Sequence, residues 1–198
     1  MYKRQSIGHS QGGHAVLGAA QYASRAQLNY KGTVAIAPAS NLASILTIGE
    51  QQASTLPINY QIQMLAQLDT YTALIVAGMQ GHNKSVTYNE VFKNDTVILA
   101  PIAEAECSST VGVQLGTAMS IYAAGNGQGT LTGYGRLQSG FMSIPVIDTF
   151  LKKESQPGLA PLNKKVFIYQ GEADTTVPKA ATDLLIACLL YTSPSPRD

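Results

Sequence analysis

A serine placed between glycines is the clearest chemical signal in this sequence. Ser10 lies in the run Gly8-His9-Ser10-Gln11-Gly12-Gly13, with a glycine two residues away on either side. A serine that attacks an acyl carbon projects from a tight strand-to-helix turn, where glycines remove side chains that would collide. The run predicts a nucleophile elbow, with Ser10 as nucleophile and the backbone amide of Gln11 as an oxyanion donor. The alternative is a glycine-rich turn with an incidental serine.

A second signal is an aspartate that follows a strand-like run. Residues 165–170 are apolar and of strand length, and Gly171-Glu172-Ala173-Asp174 comes directly after them. An acid just past the carboxyl end of a strand can hold a histidine in the tautomer that deprotonates a serine. Asp174 is therefore the candidate triad acid, and Glu172 is a poorer one because it lies closer to the strand. The alternative is an aspartate that only caps a turn or a helix.

The base of such a triad is the missing part. Hydrolases with this elbow supply the histidine after the acid in chain order, and no histidine follows Asp174. His9 lies inside the elbow, where neighbouring side chains point apart, and His14 suits a packing or surface role on the next helix. His82, between two small or polar residues, indicates a surface loop. We therefore expect that the catalytic histidine is not present in this chain and lies beyond its C-terminal end.

The elements around these residues predict an α/β fold with a parallel sheet. Of the strand before the elbow only Ser6-Ile7 is recognisable, and it should be buried. A helix-compatible run follows the elbow, and residues 33–37 are a β-branched, apolar run that suits a buried parallel strand. Strand, helix and strand in this order are the signature of a βαβ unit.

The middle of the chain has a different, helical character. Apolar spacing predicts helices over 58–79, starting near Pro57, over 88–99 and over 110–124. Residues 125–135 are rich in glycine but lack the strand and the Lys-Ser/Thr ending of a phosphate loop, so they predict a mobile loop. The insert is interpreted as a helical cap over the crevice; the alternative is a second, unrelated helical domain.

These elements give a domain plan. Residues 6–41 and 144–187 are predicted to form the two parts of a hydrolase core, and residues 42–143 the cap or lid. Residues 1–5 and 188–198 resemble translated sequencing-adapter sequence, which predicts non-native ends on an internal fragment. The alternative is a genuine short chain with an unusual tail.

Composition narrows the class of partner. The chain has 198 residues, 45% of them hydrophobic, and 13 basic side chains against 12 acidic ones. Such a balance offers no electrostatic footprint for nucleic acid. No apolar run reaches the ~20 residues that span a bilayer. Two cysteines, Cys107 and Cys188, allow at most one disulfide and do not decide the compartment.

Together these residues resemble the secretory lipase family of the α/β-hydrolase superfamily. The resemblance runs over nearly all of residues 6–187. It rests on the elbow, the strand and turn at 33–40, the helical insert and residues 170–178, which contain the Gly171-x-x-Asp174-x-x-Val177-Pro178 block. It implies a carboxylic-ester hydrolase that forms an acyl-enzyme on Ser10, with Asp174 as the acid and Gln11 as an oxyanion donor. It also implies a lid over an acyl-chain site, no cofactor, no metal and a secreted protein.

The expected partner is a small-molecule ester or a lipid, with transient contact of the cap with a lipid interface. Apolar residues of the cap are candidates either for an acyl groove or for ordinary core: Met64, Leu65, Met79, Phe92, Met119, Phe141 and Met142. Two other functions stay open at this point. One is acyl transfer to an alcohol on the same fold, and the other is a non-catalytic, hydrolase-like binding protein.

Overall fold

The computed structural model describes residues 4–26, 28–126 and 129–192. The chain divides into two compact units, Met1–Ile45 with Thr149–Asp198, and Leu46–Asp148. We call them the sheet unit and the helical unit. In the described part of the chain, no helix is both long enough and apolar enough to span a membrane.

Three strands and eight α-helices make up the described chain. The strands are β1 (Arg4–His9), β2 (Tyr30–Ile36) and β3 (Lys165–Tyr169). The helices are α1 (Gln11–Gln21), α2 (Leu42–Ala53), α3 (Ile58–His82), α4 (Tyr88–Val91), α5 (Asn94–Leu99), α6 (Ser108–Gly125), α7 (Pro145–Thr149) and α8 (Lys179–Thr192). Three 3₁₀ turns, Ala23–Ala26, Ala100–Glu104 and Phe141–Ser143, and a π-helical turn, Phe150–Glu154, complete the order.

The strands form one parallel sheet in the order β1-β2-β3. Ile7 pairs with Val34, and Val34 pairs in turn with Phe167. The α/β class predicted from the sequence is confirmed, with a largely helical segment inserted between β2 and β3. Because all three strands run in the same direction, their carboxyl ends lie at one edge of the sheet, which we call the rim.

One face of the sheet is packed and the other is open. Leu17 of α1 and Leu185 and Leu189 of α8 form a buried cluster with Ala35 of β2. On the opposite face apolar side chains are exposed: Ile7 (68%), Ile36 (37%), Phe167 (54%) and Tyr169 (61%).

The prediction that the strand before the elbow is a buried apolar run is wrong. β1 begins at Arg4, so it includes two residues that the sequence assigned to a non-native end, and its Ile7 is exposed. The physical reason is that β1 is an edge strand of the described sheet and α1 covers only one of its faces. Similarly, α8 continues past Ala187, and Leu189 packs into the core.

Two of the three helices predicted for the helical unit match the structure closely. α3 begins directly after Pro57 and runs through two glycines to His82, so His82 ends a helix and the prediction of a surface loop there is wrong. α6 matches the third predicted helix within two residues at either end. The side chains of Leu65, Met79, Phe92, Met119 and Phe141 are buried in this unit, which favours the core alternative for them.

The predicted helix over 88–99 is two helices, α4 and α5. The break falls at Phe92 and Lys93, where Phe92 forms an antiparallel bridge with Leu137. The Lys93 amide donates to the Arg136 carbonyl at 3.1 Å, and Asn94 has a φ of 53°. Pairing with a distant segment therefore overrides local helix propensity.

A buried guanidinium joins three segments of the helical unit. Arg136 donates from Nε to Asp69 Oδ2 (2.8 Å) and from Nη1 to Glu50 Oε2 (3.0 Å), and its Nη2 reaches the second oxygen of each carboxylate. The side chain of Asp69 is fully buried. Burial raises the pKa of Asp69 to about 6, against the attraction of Arg136, so the carboxylate is charged at neutral pH.

Two further hydrogen bonds hold the glycine-rich loop, whose described residues after Gly125, the end of α6, form no helix or strand. The Tyr122 hydroxyl donates to the Thr132 carbonyl at 2.8 Å, and the Thr96 hydroxyl donates to the Gly135 carbonyl at 3.3 Å. Residues 127 and 128 of the predicted loop lie outside the described residues.

Candidate active site

Ser10 occupies the turn between β1 and α1 at the rim. Its φ is 55° and its ψ is −119°. A positive φ is strained for a residue with a side chain, and such strain concentrates at functional sites. Hydrogen bonds hold the turn: the Ser10 amide donates to the Ile36 carbonyl (2.9 Å), and its own carbonyl accepts from the amides of His14 (3.0 Å) and Ala39 (3.3 Å).

Two glycines of this turn, Gly8 and Gly13, have backbone atoms so close that a side chain would collide with them. A Cβ on Gly8 would lie 2.1 Å from the Gly12 carbonyl oxygen, and one on Gly13 would lie 2.8 Å from the Ile36 carbonyl oxygen. A Cβ on Gly12 would meet nothing within 4 Å. The prediction that Gly12 is one of the two required glycines is therefore wrong. The second close contact is made by Gly13, because that residue packs the first turn of α1 against β2.

This arrangement predicts opposite effects for the same substitution at three glycines. We expect Gly8→Ala and Gly13→Ala each to lower the free energy of unfolding by about 3 kcal/mol or more, since backbone atoms would have to move. Gly12→Ala should raise it by up to about 1 kcal/mol, because alanine is the better helix former. Urea unfolding of the three variants measures this. Equal effects at Gly12 and Gly13 would contradict the packing described here.

Gln11 is the first residue of α1. The amides of a first helical turn have no acceptor within their own helix, and they lie at the positive end of the helix dipole. The Gln11 N–H, directly after Ser10, therefore has no acceptor within α1, as an oxyanion donor requires.

Asp174 lies at the same rim, in the loop that follows β3, with β2 between it and the strand that carries Ser10. Its Oδ1 accepts from the amides of Thr176 and Val177, both at 2.9 Å. Its Oδ2 accepts from Nε2 of Gln170 at 3.3 Å. One carboxylate oxygen therefore closes the turn, as the capping alternative predicts, and the other has lone-pair capacity left for another donor.

Two residues on either side of this loop, Gln170 directly after β3 and Thr182 in α8, are not predicted as site residues from the sequence. The Gln170 amide accepts from the Thr182 hydroxyl of α8 at 2.6 Å and donates to the Val177 carbonyl at 2.9 Å. Thr182 is fully buried. A glutamine at a strand end and a threonine in a helix are common, so only the packing of α8 identifies the pair.

The rim segment after β2 is strained as well. Ala37 has a φ of 43° and Asn41 a φ of 54°. The Ala37 amide donates to the Tyr169 carbonyl of β3 at 2.7 Å. The Asn41 amide donates to Oε1 of Gln156, and its side chain donates to the Ala181 carbonyl, both at 2.8 Å. Three of the non-glycine residues with a positive φ therefore lie along one rim, and strain of this kind is often found at functional sites.

The histidines are spread over both units. His9 ends β1 and is exposed, and His14 lies on the first turns of α1 and is half-buried. Burial lowers the pKa of His14, while the Ser155 backbone acts in the opposite direction. His82 belongs to the helical unit.

His14 makes stability depend on pH. Its lowered pKa means that the folded state favours the neutral imidazole, so this stabilisation is complete above the ordinary value of 6.5 and is lost as the pH falls through the folded pKa. We expect His14→Gln to reduce the loss of unfolding free energy between about pH 7 and pH 5. Urea titrations at several pH values measure it. An unchanged slope in the variant would show that other groups set the pH dependence.

The described residues contain no cluster of three or more histidine, cysteine or acidic side chains that is arranged to hold a metal ion. Cys107 and Cys188 are not joined in a disulfide.

The parallel sheet, the strand-turn-helix at Ser10 and the helical insert together define the α/β-hydrolase fold. The chain is similar to the rice cell wall degrading esterase LipA from Xanthomonas oryzae. A crystal structure of LipA has a TM-score of 0.66 and 16% identity, and a ligand-bound form has 0.64 and 16%. Each match covers 97% of this chain and 50% of that chain. The chain thus spans about half the length of LipA, and at this identity the likeness concerns the fold. No protein-family model and no curated protein matches the sequence.

Proposed function

We propose that this chain is part of a serine carboxylic-ester hydrolase of the secretory lipase type. The observation that carries the proposal is the strained Ser10 turn at the same sheet rim as Asp174. The name of the structural neighbour, a cell wall degrading esterase, supports ester hydrolysis as the reaction class. The substrate is an acyl ester with an apolar acyl part. The protein is secreted and uses no cofactor.

The reaction proceeds in two halves. Ser10 Oγ attacks the ester carbonyl carbon, its proton passes to a histidine, and the Gln11 amide donates to the oxyanion. The bond from carbon to the alcohol oxygen then breaks, and the alcohol leaves with that proton. Water attacks the acyl-enzyme by the same route and releases the acid.

Asp174 orients the base in this scheme. Its Oδ1 is already engaged by two backbone amides, so Oδ2 is the oxygen that accepts from the imidazole N–H. The base in this scheme is a histidine that is not among these 198 residues.

A covalent probe tests the proposal on the chain as it stands. The protein is incubated with a fluorophosphonate and with imidazole, which replaces the absent base, and adducts are mapped by mass spectrometry. We expect one adduct, on Ser10, and none in Ser10→Ala. The control is Ser40→Ala, which removes a buried serine at the same rim and should leave the adduct in place. An adduct that persists in Ser10→Ala, or none on the unmodified chain, overturns the assignment.

Asp174 accepts from two amides of its own turn, as a purely structural capping residue would, and this favours a second candidate, a non-catalytic hydrolase-like binding protein. Ester hydrolysis by the longer protein separates the two, because a binding protein would retain its ligand without turnover. Acyl transfer to an alcohol is a third outcome, and it would show as ester exchange in the same assay.

A further inference from the structure

The side-chain amide of Gln170 is engaged on both of its ends. Its Nε2 donates to the Val177 carbonyl (2.9 Å), to Oδ2 of Asp174 (3.3 Å) and to the Gly171 carbonyl (3.3 Å). Its Oε1 accepts from the hydroxyl of Thr182 at 2.6 Å. The amide therefore bridges α8 and the carboxylate of the loop.

The orientation of this amide is determined by its partners. If the amide were flipped, its oxygen would face three acceptors, Gly171, Asp174 and Val177, and its nitrogen would face the hydroxyl. Thr182 is fully buried on the second turn of α8, so water does not replace its hydroxyl as the donor to Gln170. The threonine thereby fixes which end of the glutamine meets Asp174.

The consequence for Asp174 is a carboxylate held at both oxygens. The amides of Thr176 and Val177 hold Oδ1, and Gln170 is the side chain that bonds Oδ2. The two hydrogen bonds to Oδ1 restrict rotation about the Cβ–Cγ bond. The hydrogen bond to Oδ2 fixes the plane of the carboxylate. A lone pair of Oδ2 then points in one fixed direction.

We propose that Gln170 and Thr182 are positioning residues for the acid, aligning Oδ2 of Asp174 to receive the N–H of the catalytic imidazole. This inference rests on the proposed function. Neither residue touches the substrate; Thr182 acts through Gln170, and Gln170 acts through Asp174. Gln170 also closes the loop between β3 and α8, because its Nε2 donates to the carbonyl of Val177 at the other end of that loop.

The test compares three threonine variants of the full chain by two readouts. Thr182→Val removes the buried hydroxyl and keeps the shape, Thr182→Ser keeps the hydroxyl, and Thr175→Val makes the same change at an exposed threonine of the same loop. The first readout is amide hydrogen exchange at Thr176 and Val177. The second is the imidazole concentration that gives half-maximal labelling of Ser10 by the fluorophosphonate.

In Thr182→Val we expect both amides to exchange about tenfold faster and the half-maximal imidazole concentration to rise about tenfold. Thr182→Ser and Thr175→Val should match the unmodified chain. Exchange and imidazole dependence that are unchanged in Thr182→Val overturn the inference. A residue with a purely structural role would lower the melting temperature without changing the imidazole dependence, and that result overturns it too.

The two proposals fail separately. If Ser10 is not labelled in any variant, the proposed function fails, and the exchange rates alone then decide whether Gln170 and Thr182 fix the carboxylate. If Ser10 is labelled and Thr182→Val behaves as the unmodified chain does, only the positioning role fails.

Discussion

Replacing Asp174 by asparagine should lower the turnover of the complete hydrolase by about 10³- to 10⁴-fold. An asparagine carbonyl can still accept from the amides of Thr176 and Val177, so the turn is kept. What is lost is the negative charge that orients the imidazole and stabilises the imidazolium formed when the base takes the proton of Ser10. The effect should therefore appear in kcat for ester hydrolysis, with the melting temperature little changed.

Asp183→Asn provides the matched control. Asp183 is an exposed aspartate of α8 that pairs with Lys179 at 2.7 Å, in the same unit as Asp174. Its replacement should change turnover less than about twofold, since exposed pairs contribute little and its carboxylate bonds Lys179 on the surface of α8. Near-normal turnover in Asp174→Asn would mean that the acid lies elsewhere.

Removing the guanidinium of Arg136 should be the most destabilising single change in the helical unit. Arg136→Met leaves the buried carboxylate of Asp69 without a charged partner, and breaking a buried pair in this way costs about 3–5 kcal/mol. It also releases the segment around residue 136 from α2 and α3, because Glu50 loses both of its contacts. Urea unfolding, followed by a probe in the helical unit, measures the change.

Two comparisons separate the buried charge from lost packing. The double variant Arg136→Met with Asp69→Leu should recover most of the loss, since replacing both partners by apolar groups is often close to neutral. Lys179→Met breaks an exposed pair and should cost less than about 1 kcal/mol. If Arg136→Met is no more harmful than Lys179→Met, the buried cluster does not stabilise the unit.

Local patterns were sufficient for much of the fold. The apolar run after Gly32 and the run after Lys164 each correspond to a strand, and Pro57 marks the residue before α3. These signals are local: strands and helices reveal themselves by periodicity, and proline by its fixed φ. The α/β class and the helical character of the insert followed from them.

Two of the failures share one cause, which is contact between residues far apart in the chain. The break after α4 depends on Leu137. The choice between Gly12 and Gly13 depends on where Ile36 lies. Neither of these partners is visible in a local window of sequence.

The candidate site shows the same division. Ser10 and Asp174 stand out because each belongs to a local sequence pattern, a serine between glycines before a helix and an acid directly after a strand. Gln170 and Thr182 are ordinary residue types, twelve positions apart, and only the packing of α8 against β3 brings them together.

The positive φ values at Ser10, Ala37 and Asn41 lower the stability of the folded rim. Each such backbone costs on the order of 1–3 kcal/mol, which the rest of the sheet unit has to offset. Selection for thermal stability alone would replace these residues first. Glycine is the expected replacement, because it adopts a positive φ without strain. Under the proposed function, variants that tolerate higher temperatures but no longer hydrolyse the ester should therefore accumulate at Ser10, where stability and activity make opposite demands on the same backbone.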